Sequence, residues 1–202
     1  MDGSSDPCRD DNEGCMIAVV GPSGAGKDTL MAYAARAFSD RPDIVFARRV
    51  ITRDASAGGE DHDGVCDAEF EKLKADGRFA VSWEAHGLHY GIPVETKQAV
   101  SRGAIVIANG SRSALGLFRE AYPNLVVINV TARPEVLALR LEARGRETRE
   151  DILRRLNRGS LGVAGDYNVI TIDNSGEMDV SGKAIVDAIS TLLSHSVTSK
   201  EK

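Results

Sequence analysis

Aromatic residues are scarce in this chain of 202 residues, at 5% with a single tryptophan, so the core must be filled mainly by aliphatic side chains. Cysteine is nearly absent: Cys8, Cys15 and Cys66 form an odd set without zinc-ligand spacing. That excludes a disulfide scaffold and points to reduced thiols in a cytoplasmic setting. A basic excess is also missing, because 25 Lys and Arg against 30 Asp and Glu leave a net charge of −5. This argues against a general nucleic-acid binder while permitting a local basic site for a small phosphorylated molecule. No apolar run approaches the length of a bilayer span, so no membrane segment is expected. The four histidines, His62, His86, His89 and His195, form no HExxH pair; His86 and His89 read as surface or substrate-side residues. No motif speaks to oligomeric state.

What is present is ordinary for a globular domain: 42% hydrophobic and 27% charged residues. A chain of this length buries a core without metal or disulfide staples. Residues 1–14 are acidic and polar and are expected to form a disordered tail, not a secretory leader. Residues 195–202 are expected to fray, leaving 15–194 as a single domain. Within it, short apolar runs predict buried strands at Met16–Val20, Ile44–Ile51, Ala104–Ala108, Leu125–Val130 and Val169–Ile172. Helices are predicted at Thr29–Phe38, Val94–Ser101, Ser113–Ala121, Pro134–Ala143, Arg149–Arg158 and Val180–Leu193. This alternation implies a three-layer α/β domain with a mainly parallel sheet. Residues 52–93, rich in Gly, Asp, Glu and His with a strand-like piece at Arg78–Trp83, break the rhythm and read as a small inserted lobe. Residues 144–149, charged around Gly145, read as a mobile lid.

The strongest motif lies between the first strand and the first helix. Gly21, Pro22, Ser23, Gly24, Ala25, Gly26 and Lys27 match G-x-x-x-x-G-K. The glycines let backbone N–H groups turn inward and cradle a polyphosphate, the helix N-terminus adds its dipole, and Lys27 reaches the terminal phosphates. Lys27 is expected to face solvent in the empty loop. The motif normally continues with Ser or Thr as a Mg²⁺ contact; here Asp28 follows, and Thr29 comes one position late, about 100° further round the helix. A carboxylate is a hard ligand suited to Mg²⁺. Asp28 also suits a helix's first turn with no metal at all. The metal role is preferred, because neither Ile105–Asn109 nor Val126–Thr131 ends in the aspartate that such enzymes commonly place at a strand end.

Arg48, Arg49 and Arg53 flank the second strand, and Arg112 follows Asn109-Gly110-Ser111. On a strand, Arg49, Ile51 and Arg53 would share a face, and two arginines at the mouth of such a core suit bidentate phosphate binding.

At this point the chain resembles the guanylate-kinase-like family. The matching pieces are Gly21–Lys27, Val50-Ile51-Thr52-Arg53, Gly59-Glu60 with Asp63-Gly64, Phe79–Trp83, Tyr90-Gly91 and Arg144-Gly145. The resemblance implies that Arg53 and Tyr90 hold the acceptor phosphate, while Arg144 in the lid and Arg155 in the next helix clamp the transferring group. Three departures remove groups that read a guanine nucleotide: Ser56 stands where a second arginine belongs, Ser82 where a glutamate belongs, and Asn109 near an expected aspartate. The same positions resemble a narrower family, the ribose 1,5-bisphosphate phosphokinases of phosphonate breakdown. Gly26-Lys27-Asp28-Thr29, Gly58–His62, Ser82–Leu88 with Tyr90–Pro93, and Asn109–Arg112 carry that resemblance.

It implies ATP as phosphate donor with Mg²⁺, and a phosphorylated sugar held by Arg49, Arg53, Tyr90, Asn109 and Arg112. Glu60, Asp61 and His62 either bond ribose hydroxyls or form a solvated acidic loop. The competing readings are a nucleoside monophosphate kinase with unusual base choice, a non-catalytic interaction module on the same fold, and a regulatory NTPase.

Overall fold

In a computed structural model of the chain, the described residues are 14–55, 60–143 and 162–198, with side chains to 194. The expected helix at 149–158, the expected lid at 144–149, nearly all of the expected N-terminal tail and half of the C-terminal one lie outside them; residues 195–198, expected to fray, instead continue the last helix.

Five parallel strands form the core sheet. In chain order they are β1 (Cys15–Val20), β2 (Ile44–Phe46), β7 (Ile105–Asn109), β8 (Leu125–Thr131) and β9 (Asn168–Asp173), arranged spatially as β2-β7-β1-β8-β9. All of β1 is buried, which is why its sequence reads as an unbroken apolar run instead of an alternation. Successive residues still serve opposite faces. Ile17, Val19, Ile107, Ile128 and Val130 pack beneath α1 (Lys27–Ala37), α5 (Pro134–Glu142) and α6 (Met178–Thr198), through Leu30, Ala34, Leu137, Ile185 and Ile189. Met16, Ala18, Val20, Val106 and Val127 face the other layer. There they meet Leu115, Phe118 and Tyr122, of which the first two lie in α4 (Leu115–Ala121), and the flank of α3 (Glu95–Ser101). Each such Leu, Ile or Phe, fully buried, stabilises the fold by about 1.5–3 kcal/mol. The three-layer α/β architecture is as expected.

A second sheet, ordered β4-β3-β6-β5, comprises β3 (Arg49–Ile51), β4 (His62–Gly64), β5 (Phe79–Ala85) and β6 (Leu88–Pro93), with α2 (Asp67–Ala75) beside it. Here the structure corrects the sequence reading. The single strand expected over Ile44–Ile51 is two strands in two sheets. The Ala47 N–H makes the last bond to the core, 2.8 Å from the Ile107 carbonyl. The chain then leaves, and Val50 and Ile51 pair with Gly91 and Tyr90 of β6. No Gly or Pro marks the change, because a redirected strand needs no tight turn. Arg53 consequently lies in the bend beyond β3, not in strand register with Arg49.

The α2 helix was not anticipated from sequence. Phe70 is its one buried residue, too little for a helical apolar stripe, but its charges suit the dipole: Asp67 and Glu69 in the first turn, Lys72 and Lys74 in the last. The β5–β6 hairpin turns on His86 and Gly87, both with positive φ (54° and 71°), the backbone twist that two-residue hairpin turns favour.

Candidate active site

The phosphate loop emerges from the carboxyl end of β1, at the centre of the core sheet, where open parallel sheets bind ligands. Its shape depends on glycine, as Gly21 and Gly26 show. A Cβ on Gly21 would stand 2.1 Å from the Val130 carbonyl oxygen. Gly26, the N-cap of α1, has φ 89° and ψ 23°, a left-handed conformation, and a Cβ there would stand 2.4 Å from Nδ2 of Asn174.

That close approach reveals a support the sequence did not disclose. Asn174, buried just beyond β9, donates Nδ2 to the Ala25 carbonyl (2.7 Å) and accepts from Ser181 Oγ (2.6 Å). Arg140 of α5 donates to the Asn174 carbonyl (2.8 Å) and reaches the carbonyls of Gly24 and Ala25, each 3.4 Å away. The loop is thus held through its carbonyls by Asn174 and Arg140. The one sequence signal was a polar Asn-Ser step directly after an apolar strand.

Lys27, expected from sequence to face solvent, is instead half-buried. Its ammonium donates to the carbonyls of Gly21 (2.9 Å) and Pro22 (3.2 Å). Those carbonyls lie within reach because the loop curls back over the start of α1. Burial lowers its pKa from 10.5 to about 8; Arg49 and Arg112 push the same way, against the pull of Asp28 and Glu60.

Those four neighbours place the loop and the second sheet at one crevice. Asn109, buried at the end of β7, donates Nδ2 to Oδ1 of Asp28 (2.7 Å) and to Oε2 of Glu60 (2.9 Å). Glu60 pairs through Oε1 with Arg49, whose Nε is 2.8 Å away and whose second guanidinium nitrogen also donates to that oxygen. The Arg49 guanidinium lies 4.9 Å from the Tyr90 ring centroid and 5.7 Å from that of Trp83, and these two rings stack at 5.3 Å. Cation, rings and carboxylate therefore fix one another. Arg112 opens a 3-10 turn directly beyond β7.

The other expected residues are placed differently. Thr29 and Ser23 are exposed. Arg48 is occupied by the lobe, 3.1 Å from Asp61 and 3.0 Å from Asp63, and Asp61 is largely exposed. His62 is buried, with Nδ1 2.9 Å from the Glu60 carbonyl and Nε2 3.4 Å from that of Arg53, so it braces the lobe's backbone. Arg53 turns one nitrogen to His62 Nδ1 (3.4 Å). Arg144, Arg155 and Ser56 lie outside the described residues.

No family model matches the chain. It is 59% identical over 174 residues to a ribose 1,5-bisphosphate phosphokinase PhnN of Agrobacterium fabrum, covering 86% of this chain and 95% of that one. It is 59% identical over 180 residues to the protein of that name in Rhizobium etli, covering 89% and 91%, and 49% identical over 177 residues to the one in Brucella melitensis, covering 88% and 92%. Among solved structures, the guanylate kinase of Anaplasma phagocytophilum superposes with a TM-score of 0.65 at 19% identity, covering 89% of this chain and 86% of that one. That likeness shows a shared fold. The identities over nearly the whole length of the relatives show more: the chain belongs to the ribose 1,5-bisphosphate phosphokinase family.

Proposed function

We propose that the protein transfers the γ-phosphate of ATP to the 1-phosphate of ribose 1,5-bisphosphate, giving 5-phosphoribosyl 1-diphosphate and ADP as a step of phosphonate breakdown. The observation that carries this reading is the junction at Asn109, which joins the phosphate loop, through Asp28, to the acceptor lobe, through Glu60 and Arg49. Donor and acceptor sites built on one polar chain suit transfer between two bound phosphates.

The reaction needs little acid–base chemistry. An acceptor phosphate has its second pKa near about 6, so its oxygen is already an anion at neutrality. A bond forms from that oxygen to the γ-phosphorus as the bond to the β-bridging oxygen breaks, and no proton has to be removed. Catalysis is then alignment and charge neutralisation. Lys27 leaves the loop carbonyls for the β- and γ-phosphates, and the loop amides hold the rest of the chain of phosphates. Arg49, Arg53, Arg112 and Tyr90 hold the acceptor's phosphates, and Arg144 and Arg155 complete the clamp on the transferring group. Water has to be excluded from the site during transfer, or ATP would be hydrolysed.

The donor set fits Mg²⁺. Asp28 is a hard carboxylate beside the loop, and Asn109 engages one of its two oxygens; Mg²⁺ commonly takes one or two carboxylates with phosphate and water oxygens. When bound it would neutralise charge on the bridging phosphates. Thr29, exposed, stands apart from this role.

The test is a product assay with ATP, Mg²⁺ and a panel of ribose 1,5-bisphosphate, ribose 5-phosphate, GMP and dTMP. Ribose 1,5-bisphosphate is expected to be the best acceptor. GMP should trail in kcat/KM by about two orders of magnitude or more, since Ser82 and Asn109 supply no carboxylate to a guanine edge. Comparable rates with GMP would replace the proposal with a nucleoside monophosphate kinase.

A further inference from the structure

The crevice concentrates positive charge. Lys27, Arg49 and Arg112 lie close enough for both arginines to lower the lysine's pKa. Cations gathered in a partly desolvated site need an anion, and Glu60 supplies one from within the chain. One oxygen takes both nitrogens of the Arg49 fork, and the other takes the Asn109 amide. The two charged side chains are only 11% and 14% exposed. A guanidinium fork and an amide converging on a buried anion is how proteins bind a phosphate group.

We propose that Arg49 and Asn109 form an acceptor-phosphate subsite, and that the Glu60 carboxylate occupies it until a phosphate of the acceptor displaces it. The identity of the acceptor rests on the reading above; the subsite rests on this geometry alone. Arg49 cannot give the same two donors to Glu60 and to a phosphate. Acceptor binding and the Glu60 pair are therefore alternatives, and the affinity observed is the intrinsic affinity reduced by the cost of ejecting Glu60. A phosphate dianion competes well against a carboxylate for a guanidinium, and a neutral sugar does not compete. Glu60 thus acts as a charge filter on what enters, and it compensates the arginine when no substrate is present.

The experiment uses inorganic phosphate as probe on the full chain, with the phosphate loop filled by a non-hydrolysable ATP analogue. Glu60→Gln keeps the side chain's size but removes its charge. It should bind phosphate about tenfold more tightly than the parent, because the resident competitor has gone. Adding Arg49→Gln to Glu60→Gln should abolish that gain. Unchanged or weaker phosphate binding in folded Glu60→Gln overturns the proposal, as does a gain that survives Arg49→Gln. If Glu60→Gln does not fold, Glu60→Asp, which retracts the carboxylate by one methylene, should give a smaller gain in the same direction; no gain overturns the proposal. A parallel titration with ribose 1,5-bisphosphate separates the two readings. Tighter phosphate binding without binding of that sugar would keep the subsite and remove the acceptor assignment.

Discussion

The side-chain amide of Asn109 donates to the Asp28 carboxylate across 2.7 Å and 81 positions of sequence. One residue ends a core strand, and the other opens the helix behind the phosphate loop. The chain lacks an aspartate at that strand end, and the structure shows an amide there holding the loop's own carboxylate in place. The negative charge expected from the strand is carried by the helix, and the strand orients it.

This relationship makes Asp28→Asn informative. An asparagine keeps the size and an oxygen for the Asn109 amide, so geometry should change little. If Asp28 holds the metal, the Mg²⁺ concentration for half-maximal rate should rise, and saturating Mg²⁺ should restore part of the activity. If Asp28 serves only the helix dipole, stability should fall by under about 1 kcal/mol with superimposable Mg²⁺ curves. A magnesium titration at fixed ATP distinguishes them.

Lys27→Ala should remove most activity while leaving the fold intact. The two carbonyls it covers belong to a loop at a crevice, where water replaces the ammonium. Losing one well-placed cation should raise the barrier by about 3–4 kcal/mol. Near-parental turnover would remove the assigned role, and circular dichroism would report on the fold.

The same lysine gives a pH signature. Burial lowers its pKa in the fold to about 8, against 10.5 for an unperturbed lysine. Between those values the unfolded chain carries a proton that the folded chain lacks, so this group's contribution to stability improves as pH rises through that window. Below about 8 the penalty of the buried charge is fully present. Polyphosphate needs the charged form, so ATP affinity should fall as pH rises past about 8, and binding there should take up a proton. Calorimetry in two buffers of different ionisation enthalpy measures the uptake. Lys27→Ala should show no such uptake, and a pH-independent affinity in the parent would contradict the assignment.

Asn174→Ala tests the support behind the loop. It leaves the Ala25 carbonyl and the Ser181 hydroxyl without their buried partner, at a cost of about 1–3 kcal/mol. A positioning role predicts a rise in KM for ATP of about tenfold with acceptor KM little changed. A purely structural role predicts a lower melting temperature with both KM values unchanged. Asn174→Asp keeps the oxygen for Ser181 but loses the donor to Ala25, so it should recover the Ser181 contact and not the ATP affinity.

The local sequence determined what depends on near neighbours. A run of apolar, often β-branched residues at Met16–Val20 must be buried as a strand, and Gly21–Lys27 after it leaves little choice but a phosphate-binding turn. The parallel layers followed from strands alternating with helices. Tertiary structure decided what depends on residues far apart in sequence. The run from Ile44 to Ile51 divides between two sheets because Gly91 and Tyr90 offer β3 a partner that no local pattern announces. Asp67–Ala75 is a helix because a single face residue, Phe70, finds a pocket against Phe79. Lys27 folds onto its own loop because the Gly21 and Pro22 carbonyls offer its ammonium acceptors there. Glu60, Asn109 and Asp28 meet, and Asn174 reaches Ala25 across 149 positions, because the sheet order brings together strand ends that the chain keeps apart. Hydrogen bonds and ion pairs act over a few ångströms, so residues distant in sequence interact only after the fold has made them neighbours.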